Sequence, residues 1–287
     1  MIDLHTHSTA SDGVFSPADL IRHAADKGIS VLALTDHDTT GGMEEAREEA
    51  EHKNIIFVGG IEITVQWPTG EFHLLGLGLT HTSPELTSLI DFLAKARRER
   101  NEKMAQKLRD EGLDISFEEV RERFGTENIG RPHFAAVLEE KGIVKTRQSA
   151  FDRFFAKGRP CYVDRVSADL EEAVHAIQTS GGIPVQAHPL SIYVSWGKME
   201  ETMTGIRDRG VRGLEAYHPG ARSSEAERLE ALAHKLGMFA TAGSDYHGEA
   251  VRKDRHIGIT AGDRKIDDRF YYEELLPNLE AYRALHC

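Results

Sequence analysis

The feature that most constrains the fold is a regular alternation of short apolar runs with amphipathic helical segments. The first helical segment carries its own boundary signals, with Ser16 as N-cap, Pro17 at the first helical position and Gly28 as the stop. This alternation predicts an α/β fold with parallel strands, arranged as a barrel or as an open sheet. The runs typical of buried strands are residues 1–5, 29–35, 55–65, 72–79, 182–187, 211–217 and 238–244.

A middle segment, residues 84–165, interrupts the alternation. It begins with one long helical stretch and continues with three shorter ones, and it contains no apolar run of the strand type. We therefore predict two domains. Residues 1–83 and 166–287 form the α/β core, and residues 84–165 form a helical insertion that covers the active site.

The composition of the chain excludes some classes of binding partner. No apolar run approaches the length of a membrane span, so we expect no membrane association. The net charge of −12 disfavours binding to long duplex nucleic acid, which needs clustered lysine and arginine. The two cysteines, Cys161 and Cys287, cannot build a disulfide framework. We expect a cytoplasmic protein in which any metal is held by nitrogen and oxygen.

Histidines and carboxylates cluster where the predicted strands end. His5 and His7 are two residues apart, so in a strand they point to the same side. Such a pair alone is equally consistent with two exposed polar residues. In barrels of parallel strands, however, the carboxyl-terminal end carries the catalytic groups. Further candidates at or near such positions are Asp12, His37, Glu62, His73, His188, Asp245 and His247.

The residue types of this set indicate a metal centre. Several imidazoles with carboxylates and no thiolate suit Zn, Mn or Fe, and suit Mg less well. Nine candidate ligands are too many for one ion, so we expect two or three divalent ions. Two metals about 3.5–4 Å apart can activate a water and bind phosphoryl oxygens in an in-line displacement.

Five segments carry a resemblance to a known family: DLHTHSTASDG, ALTDHDT, GIEIT, AHP and GSDYH. In order and spacing they resemble the motifs of the polymerase and histidinol phosphatase (PHP) superfamily. Within it, the chain resembles enzymes that remove the 3′-phosphate of nucleoside 3′,5′-bisphosphates, some of which also trim short RNA from the 5′ end. The resemblance implies a distorted seven-stranded (β/α) barrel with a helical insertion.

The resemblance also implies which residues would bind each of three metal ions. His5, His7, Glu62 and Asp245 would hold the first ion. The second would be bound by Asp12, His37 and His247. Glu62 would bridge to a third held with His73 and His188.

Candidates for substrate binding lie in other segments. Arg131 precedes a predicted helix, and helix N-termini favour anions. Lys157 is a second candidate in the insertion, and both gain support from the similarity of GRPHFA and AKGRP to the bisphosphatase subgroup. His218 follows another predicted strand, where it would bind phosphate or protonate the leaving oxygen. Asp36, beside His37, is with His218 a candidate catalytic residue.

Three alternatives stay open from the sequence. One is a different small phosphomonoesterase, such as histidinol-phosphate phosphatase. Another is a non-catalytic, metal-stabilised module, which should have lost ligands, whereas this chain has a suitable residue at each position. The third is metal-dependent C–N hydrolysis, which usually relies on a metal-bridging lysine, and no lysine follows a predicted strand.

Overall fold

The computed structural model describes residues 1–125 and 129–286, and the chain divides into two compact units. Residues 1–90 and 168–287 form the first unit, and residues 91–167 form the second. The predicted boundaries were at residues 84 and 165. The long helix that opens the predicted insertion begins at Pro84, so its first turns belong to the first unit.

The first unit is built on one sheet in which every strand pairs with its neighbours in sequence. Beyond the ends of the first and last strands, Thr6 pairs with Tyr246 in parallel register. The amide of His7 donates a hydrogen bond to the carbonyl of Tyr246 at 2.9 Å. The sheet is therefore a nearly closed barrel, which confirms the predicted fold class. Its strands are β1 (Ile2–Asp3), β2 (Val31–Leu34), β3 (Ile56–Val65), β4 (Phe72–Leu77), β5 (Ile183–Gln186), β6 (Gly213–Tyr217) and β7 (Phe239–Ala242).

The prediction that all strands are parallel is wrong for β4. This strand runs antiparallel to both β3 and β5, with Thr64 paired to His73 and Leu74 paired to Gln186. Parallel neighbours need a crossover of about a dozen residues or more. The connection between β3 and β4 spans only residues 66–71, which suffices for a turn between antiparallel strands.

Helices connect most of the other strands. In the first of them, the Ser16 hydroxyl accepts a hydrogen bond from the amide of Asp19 at 3.1 Å, and Gly28 takes a positive φ of 77°. Both predicted boundary signals are thus confirmed. The helices are α1 (Pro17–Asp26), α2 (Met43–Lys53), α3 (Pro84–Asp110), α4 (Phe117–Phe124), α5 (Arg131–Glu140), α6 (Arg147–Ala150), α7 (Leu170–Thr179), α8 (Trp196–Asp208), α9 (Ser223–Lys235) and α10 (Leu276–His286).

The apolar face of α1 shows how a helix fixes the barrel. Leu20 and Ile21 are completely buried and pack in one cluster with Leu32 and Leu34 of β2. Spacing of the apolar residues by three and four positions puts them on one helix face. This packing holds β2 in place, and β2 leads directly into the segment that carries His37.

In the second unit, all elements of secondary structure among the described residues are helices, joined by turns and loops. Its core includes Leu108, Phe134 and Phe155, and the side chain of Asn101 donates a hydrogen bond to the carbonyl of Ile129 at 2.8 Å. Cys161 is buried in the same core, whereas Cys287 lies outside the described residues. Within the described part of the chain, none of the helices combines the length and the apolar character that crossing a membrane requires.

Close strand packing generates a stability prediction. A Cβ atom at Gly60 in β3 would lie 2.9 Å from the carbonyl oxygens of both Gly76 and Leu34. Because backbone atoms cannot move aside cheaply, we expect Gly60→Ala to destabilise the protein by about 1–3 kcal/mol. Gly205→Ala is the matched control, since nothing lies within 4 Å of that position in α8 and alanine favours helix by up to about 1 kcal/mol.

Thermal unfolding of the two variants checks this expectation. The melting temperature should fall by several degrees for Gly60→Ala and stay level or rise for Gly205→Ala. An unchanged melting temperature for Gly60→Ala would contradict the strand spacing described above.

Candidate metal centre

The candidate ligands lie at one end of the barrel because the strand directions bring them there. His5 and His7 follow β1, and His37 follows β2. His73 lies at the beginning of β4, and because β4 runs antiparallel to β3 and β5, this beginning lies at the end of the barrel where those two strands finish. The other candidate ligands are Asp12 between β1 and α1, Glu62 within β3, His188 after β5, and Asp245 and His247 after β7. The substrate candidate His218 follows β6.

The carboxylate of Glu62 is the centre of the arrangement. It is completely buried, and five imidazole rings approach its two oxygens. Oε2 lies 2.9 Å from Nδ1 of His37 and 3.4 Å from Nε2 of both His5 and His7, while Oε1 lies 2.9 Å from Nδ1 of His73 and 3.0 Å from Nε2 of His188.

A second carboxylate, that of Asp245, lies beside the first. Its Oδ1 is 3.4 Å from Nε2 of His7 and 3.5 Å from Nδ1 of His247. Its Oδ2 is 3.4 Å from Nε2 of His218. Asp12 extends the cluster, since its Oδ1 lies 3.2 Å from Nε2 of His247. All nine residues predicted as ligands are thus brought together.

The donor atoms form three overlapping groups in which all atoms lie within 4.8 Å of one another. These groups differ from the assignment of ligands to ions that the family resemblance implies. His7 lies in the group of Asp12, and His37 lies in the group of Glu62 and His73. His7 and His37 therefore each face two groups. The groups are His7, Asp12, His37 and His247; His5, His7 and Asp245; and His37, Glu62 and His73.

Buried polar atoms without partners indicate what these groups fit. Nε2 of His5, both ring nitrogens of His7 and Oε2 of Glu62 have no hydrogen-bond partner among the described residues. Such buried atoms are rare in proteins because the desolvation is not offset. Lone pairs of imidazole and carboxylate that converge in this way fit divalent cations.

The electrostatics of the cluster are strongly perturbed. Burial, together with the neighbouring His247 and His37, lowers the pKa of His7 to about 3. Burial also acts to lower the pKa of His37, but the carboxylates of Glu62 and Asp12 outweigh it and raise that pKa to about 9. His7 is therefore neutral and ready to bind a cation, whereas at neutral pH a cation at His37 would displace a proton.

Two of the candidate ligands sit on unusual backbone. His188 has a φ of 27° and Asp245 a φ of 54°, in the left-handed region that residues with a Cβ rarely adopt. His188 lies two residues beyond the end of β5, Asp245 lies three residues beyond the end of β7, and both side chains reach the cluster. Strained residues of this kind concentrate at functional sites.

Glu215, a residue not predicted from the sequence, holds two of the ligands. It lies in β6 and is completely buried, and its Oε1 lies 2.9 Å from Nδ1 of His5. Its Oε2 accepts a hydrogen bond from the amide of His188 at 2.7 Å. By accepting a hydrogen bond from Nδ1–H, the carboxylate leaves Nε2 of His5 directed at the cluster. A glutamate in the middle of an otherwise apolar strand was the signal that could have revealed it.

Two further buried carboxylates hold the loops that carry ligands. Asp36 accepts hydrogen bonds from the amide and hydroxyl of Ser8 at 2.8 and 2.6 Å and from the hydroxyl of Ser11 at 2.5 Å. Both of its oxygens are engaged next to Asp12, so these contacts favour a positioning role over the predicted catalytic one. Asp3 similarly accepts hydrogen bonds from Ser244, which precedes Asp245.

The predicted substrate residues differ in their surroundings. Nδ1 of His218 accepts a hydrogen bond from the amide of Gly220 at 3.0 Å, so the neutral ring carries its proton on Nε2, the atom that faces Asp245. In the second unit, α5 begins at Arg131 itself, one residue earlier than predicted, and the guanidinium of Arg131 lies 5.6 Å from the centre of the Tyr162 ring. Lys157 is exposed.

Comparison with known protein families shows which family this chain belongs to. The sequence profile of the PHP domain matches residues 3–179, which is more than half of the chain. The chain belongs to the PHP domain family. The resemblance inferred from the five motifs is thereby confirmed.

Relatives of this PHP protein share most of its length. It is 34% identical to the 3′,5′-nucleoside bisphosphate phosphatase of Chromobacterium violaceum, over 89% of this chain and 90% of that one. It is 32% identical to a 5′-3′ exoribonuclease of Haemophilus influenzae, over 85% and 89% of the two chains. A structure of an amidohydrolase from Chromobacterium violaceum, with bound sulfate and no metal, is 32% identical, with a TM-score of 0.83 over 98% and 96% of the chains.

The prediction of a metal-dependent phosphoesterase is confirmed at the level of the enzyme class. The family and the grouped donor atoms also support divalent metal ions as cofactors.

Glu215 generates a prediction for metal binding. We expect Glu215→Gln to weaken the affinity for Mn²⁺ or Zn²⁺ by about 10–100-fold. The reason is that His5 and the His188 amide both donate to this side chain, and a glutamine places its own NH₂ group against one of them. A competition titration with a chelator measures the affinity.

Glu171→Gln is the matched control, because Glu171 is exposed and its partner is Arg209, which is not one of the candidate ligands. It should bind metal as the unmodified protein does. Equal metal affinity in the two variants would argue against the role of Glu215.

Proposed function

We propose that this PHP protein hydrolyses the 3′-phosphate of nucleoside 3′,5′-bisphosphates with the help of two or three divalent ions. The observation that carries the proposal is the buried carboxylate of Glu62 with five imidazoles around it. Buried carboxylates and imidazoles contribute little to apolar packing, and without cations their desolvation costs free energy that nothing offsets. The bisphosphate phosphatase from Chromobacterium violaceum, which aligns over nearly the whole chain, supports the choice of substrate.

The nine clustered residues would hold the ions. Bound divalent ions activate water and neutralise the charge that develops on the phosphoryl oxygens. Mn, Zn and Fe match the mixed imidazole and carboxylate donors better than Mg, which prefers oxygen. His5, His7, Glu62 and Asp245 would serve one ion, Asp12, His37 and His247 a second, and Glu62 with His73 and His188 a third.

Side chains of this chain would orient the substrate. His218 presents its Nε2 proton beside Asp245, so in the neutral form it donates a hydrogen bond to a phosphoryl oxygen. Because burial, the largest cause, lowers the pKa of His218, we favour this hydrogen-bonding role over proton transfer to the leaving oxygen. Arg131 and Lys157, which lie in the second unit, stay the residues that the sequence predicts for the phosphate that is not cleaved.

A second activity, removal of nucleotides from the 5′ end of short RNA, is favoured by the similarity to the exoribonuclease of Haemophilus influenzae. A 3′,5′-bisphosphate is chemically the smallest unit of a 5′-phosphorylated RNA, so one site could accept both. C–N hydrolysis has less support, since every described lysine of residues 1–90 and 168–286 is exposed and none can bridge metals in a buried cluster.

Phosphate release tests the proposed function. With Mn²⁺ bound, the protein should release inorganic phosphate from adenosine 3′,5′-bisphosphate and leave AMP. His188→Ala and Asp245→Ala should each lower kcat/KM by at least about a thousandfold, since each removes a group that contacts the central carboxylates or imidazoles. His175→Ala, which changes an exposed histidine of α7, should keep full activity.

One comparison substrate makes the test decisive. Histidinol phosphate should be a poor substrate, because it lacks the second phosphate. A higher kcat/KM for histidinol phosphate than for the bisphosphate would replace the proposal with the small-phosphomonoesterase alternative. Absence of hydrolysis with every phosphoester and every metal would favour the non-catalytic alternative.

A further inference from the structure

A buried arginine without a hydrogen-bonded counter-ion lies next to the candidate metal centre. Arg255 follows the segment that carries Asp245 and His247, and only 5% of its surface is exposed. Its Nε is buried and has no hydrogen-bond partner within the described residues. The nearest carboxylate is that of Asp254, at 3.9 Å from Nη1, and this aspartate is itself mostly exposed.

Buried arginines are normally paired, because the guanidinium keeps its charge in proteins and has five N–H groups to offer. Leaving them unpaired is costly. Arg255 therefore has an unused capacity for two parallel hydrogen bonds, which is the geometry that suits a phosphate or a carboxylate.

The position of the guanidinium relates this capacity to the site. A Cβ atom on Gly220 would lie 2.9 Å from Nδ1 of His218 and 3.7 Å from Nη2 of Arg255, so the two side chains flank the same glycine. The carboxylates of Asp245 and Glu215 are near enough to act electrostatically on Arg255. Neither is a direct partner, because Asp245 faces imidazoles and Glu215 is bonded to His5 and the His188 amide.

We propose that Arg255 binds the phosphoryl oxygens of the phosphate group that is cleaved, beside His218. This inference rests on the proposed function, since it assigns a specificity-determining residue to that substrate. The ligand class is a phosphomonoester dianion or inorganic phosphate, and the cation of Arg255 gains its missing partner only when the anion is present.

Calorimetric titration of the metal-loaded protein with inorganic phosphate tests the proposal. Arg255→Met keeps an unbranched apolar stem and removes the guanidinium with its charge, and we expect the Kd for phosphate to rise about ten- to a hundredfold. Metal content should not change, because Arg255 is not a ligand. Arg252→Met is the matched control, since this exposed arginine of the same loop pairs with Asp254, and its Kd should stay within about twofold.

The melting temperature of the phosphate-free protein is a second measurement. If Arg255 had a purely structural role, its replacement would lower this temperature. Removing an unpaired buried cation should leave the melting temperature of the phosphate-free protein unchanged or raise it. A Kd for phosphate within twofold of the unmodified protein, at equal metal content, would overturn the proposal. If Arg255→Met does not fold, Arg255→Lys decides in the same way, with several-fold weaker binding expected because lysine cannot form the paired hydrogen bonds.

The titration also separates this inference from the proposed function. Unmodified protein that hydrolyses no nucleotide would contradict the proposed function, while the phosphate titration would still report on Arg255. Conversely, full activity of Arg255→Met on the bisphosphate, with unchanged KM, would remove Arg255 from the site and leave the proposed function intact.

Discussion

The buried carboxylate of Glu62 has five imidazole rings around it. The closure of the barrel, the direction of β4 and the surrounding buried carboxylates all position the residues of this cluster. So many nitrogen lone pairs and carboxylate oxygens cannot all be satisfied by protons, since a proton shared with one ring leaves its neighbour without a partner. Buried atoms of His5, His7 and Glu62 accordingly have no hydrogen bond inside the described part of the chain. Cations resolve this conflict, which is why we regard the cluster as a metal centre and not as packing.

The nearly closed barrel brings the ligand-bearing loops together. Closure through Thr6 and Tyr246 brings the loop after β1 against the loop after β7, which places His7 beside Asp245 and His247. The antiparallel β4 then adds His73 from a strand that begins where the others end. Around this ring, Glu215, Asp3 and Asp36 bind ligand-bearing segments from outside, so the positions of the ligands are set before any ion binds.

Much of this could be predicted from the sequence, because strand patterns and ligand types are local signals. The nine candidate ligands follow from their positions relative to apolar runs, and the boundaries of α1 follow from Ser16 and Gly28. The direction of β4 depended on the length of one connection, a signal that was present but not used. The position of Glu215 inside an apolar strand marks it as unusual, but its contacts with His5 and His188 are not visible in the sequence. The role of Arg255 likewise depends on residues distant in the chain, and Asp36 gains hydrogen bonds from serines that no local pattern associates with it.

The central claim is that these imidazoles and carboxylates bind several cations together. Anomalous diffraction from crystals grown with Mn²⁺ or Zn²⁺, combined with elemental analysis of the dissolved protein, tests it most directly. The account predicts two or three anomalous peaks between Glu62, Asp245 and the surrounding histidines, with a matching metal content. Absence of any peak there, with the rings rotated toward other partners, would contradict it.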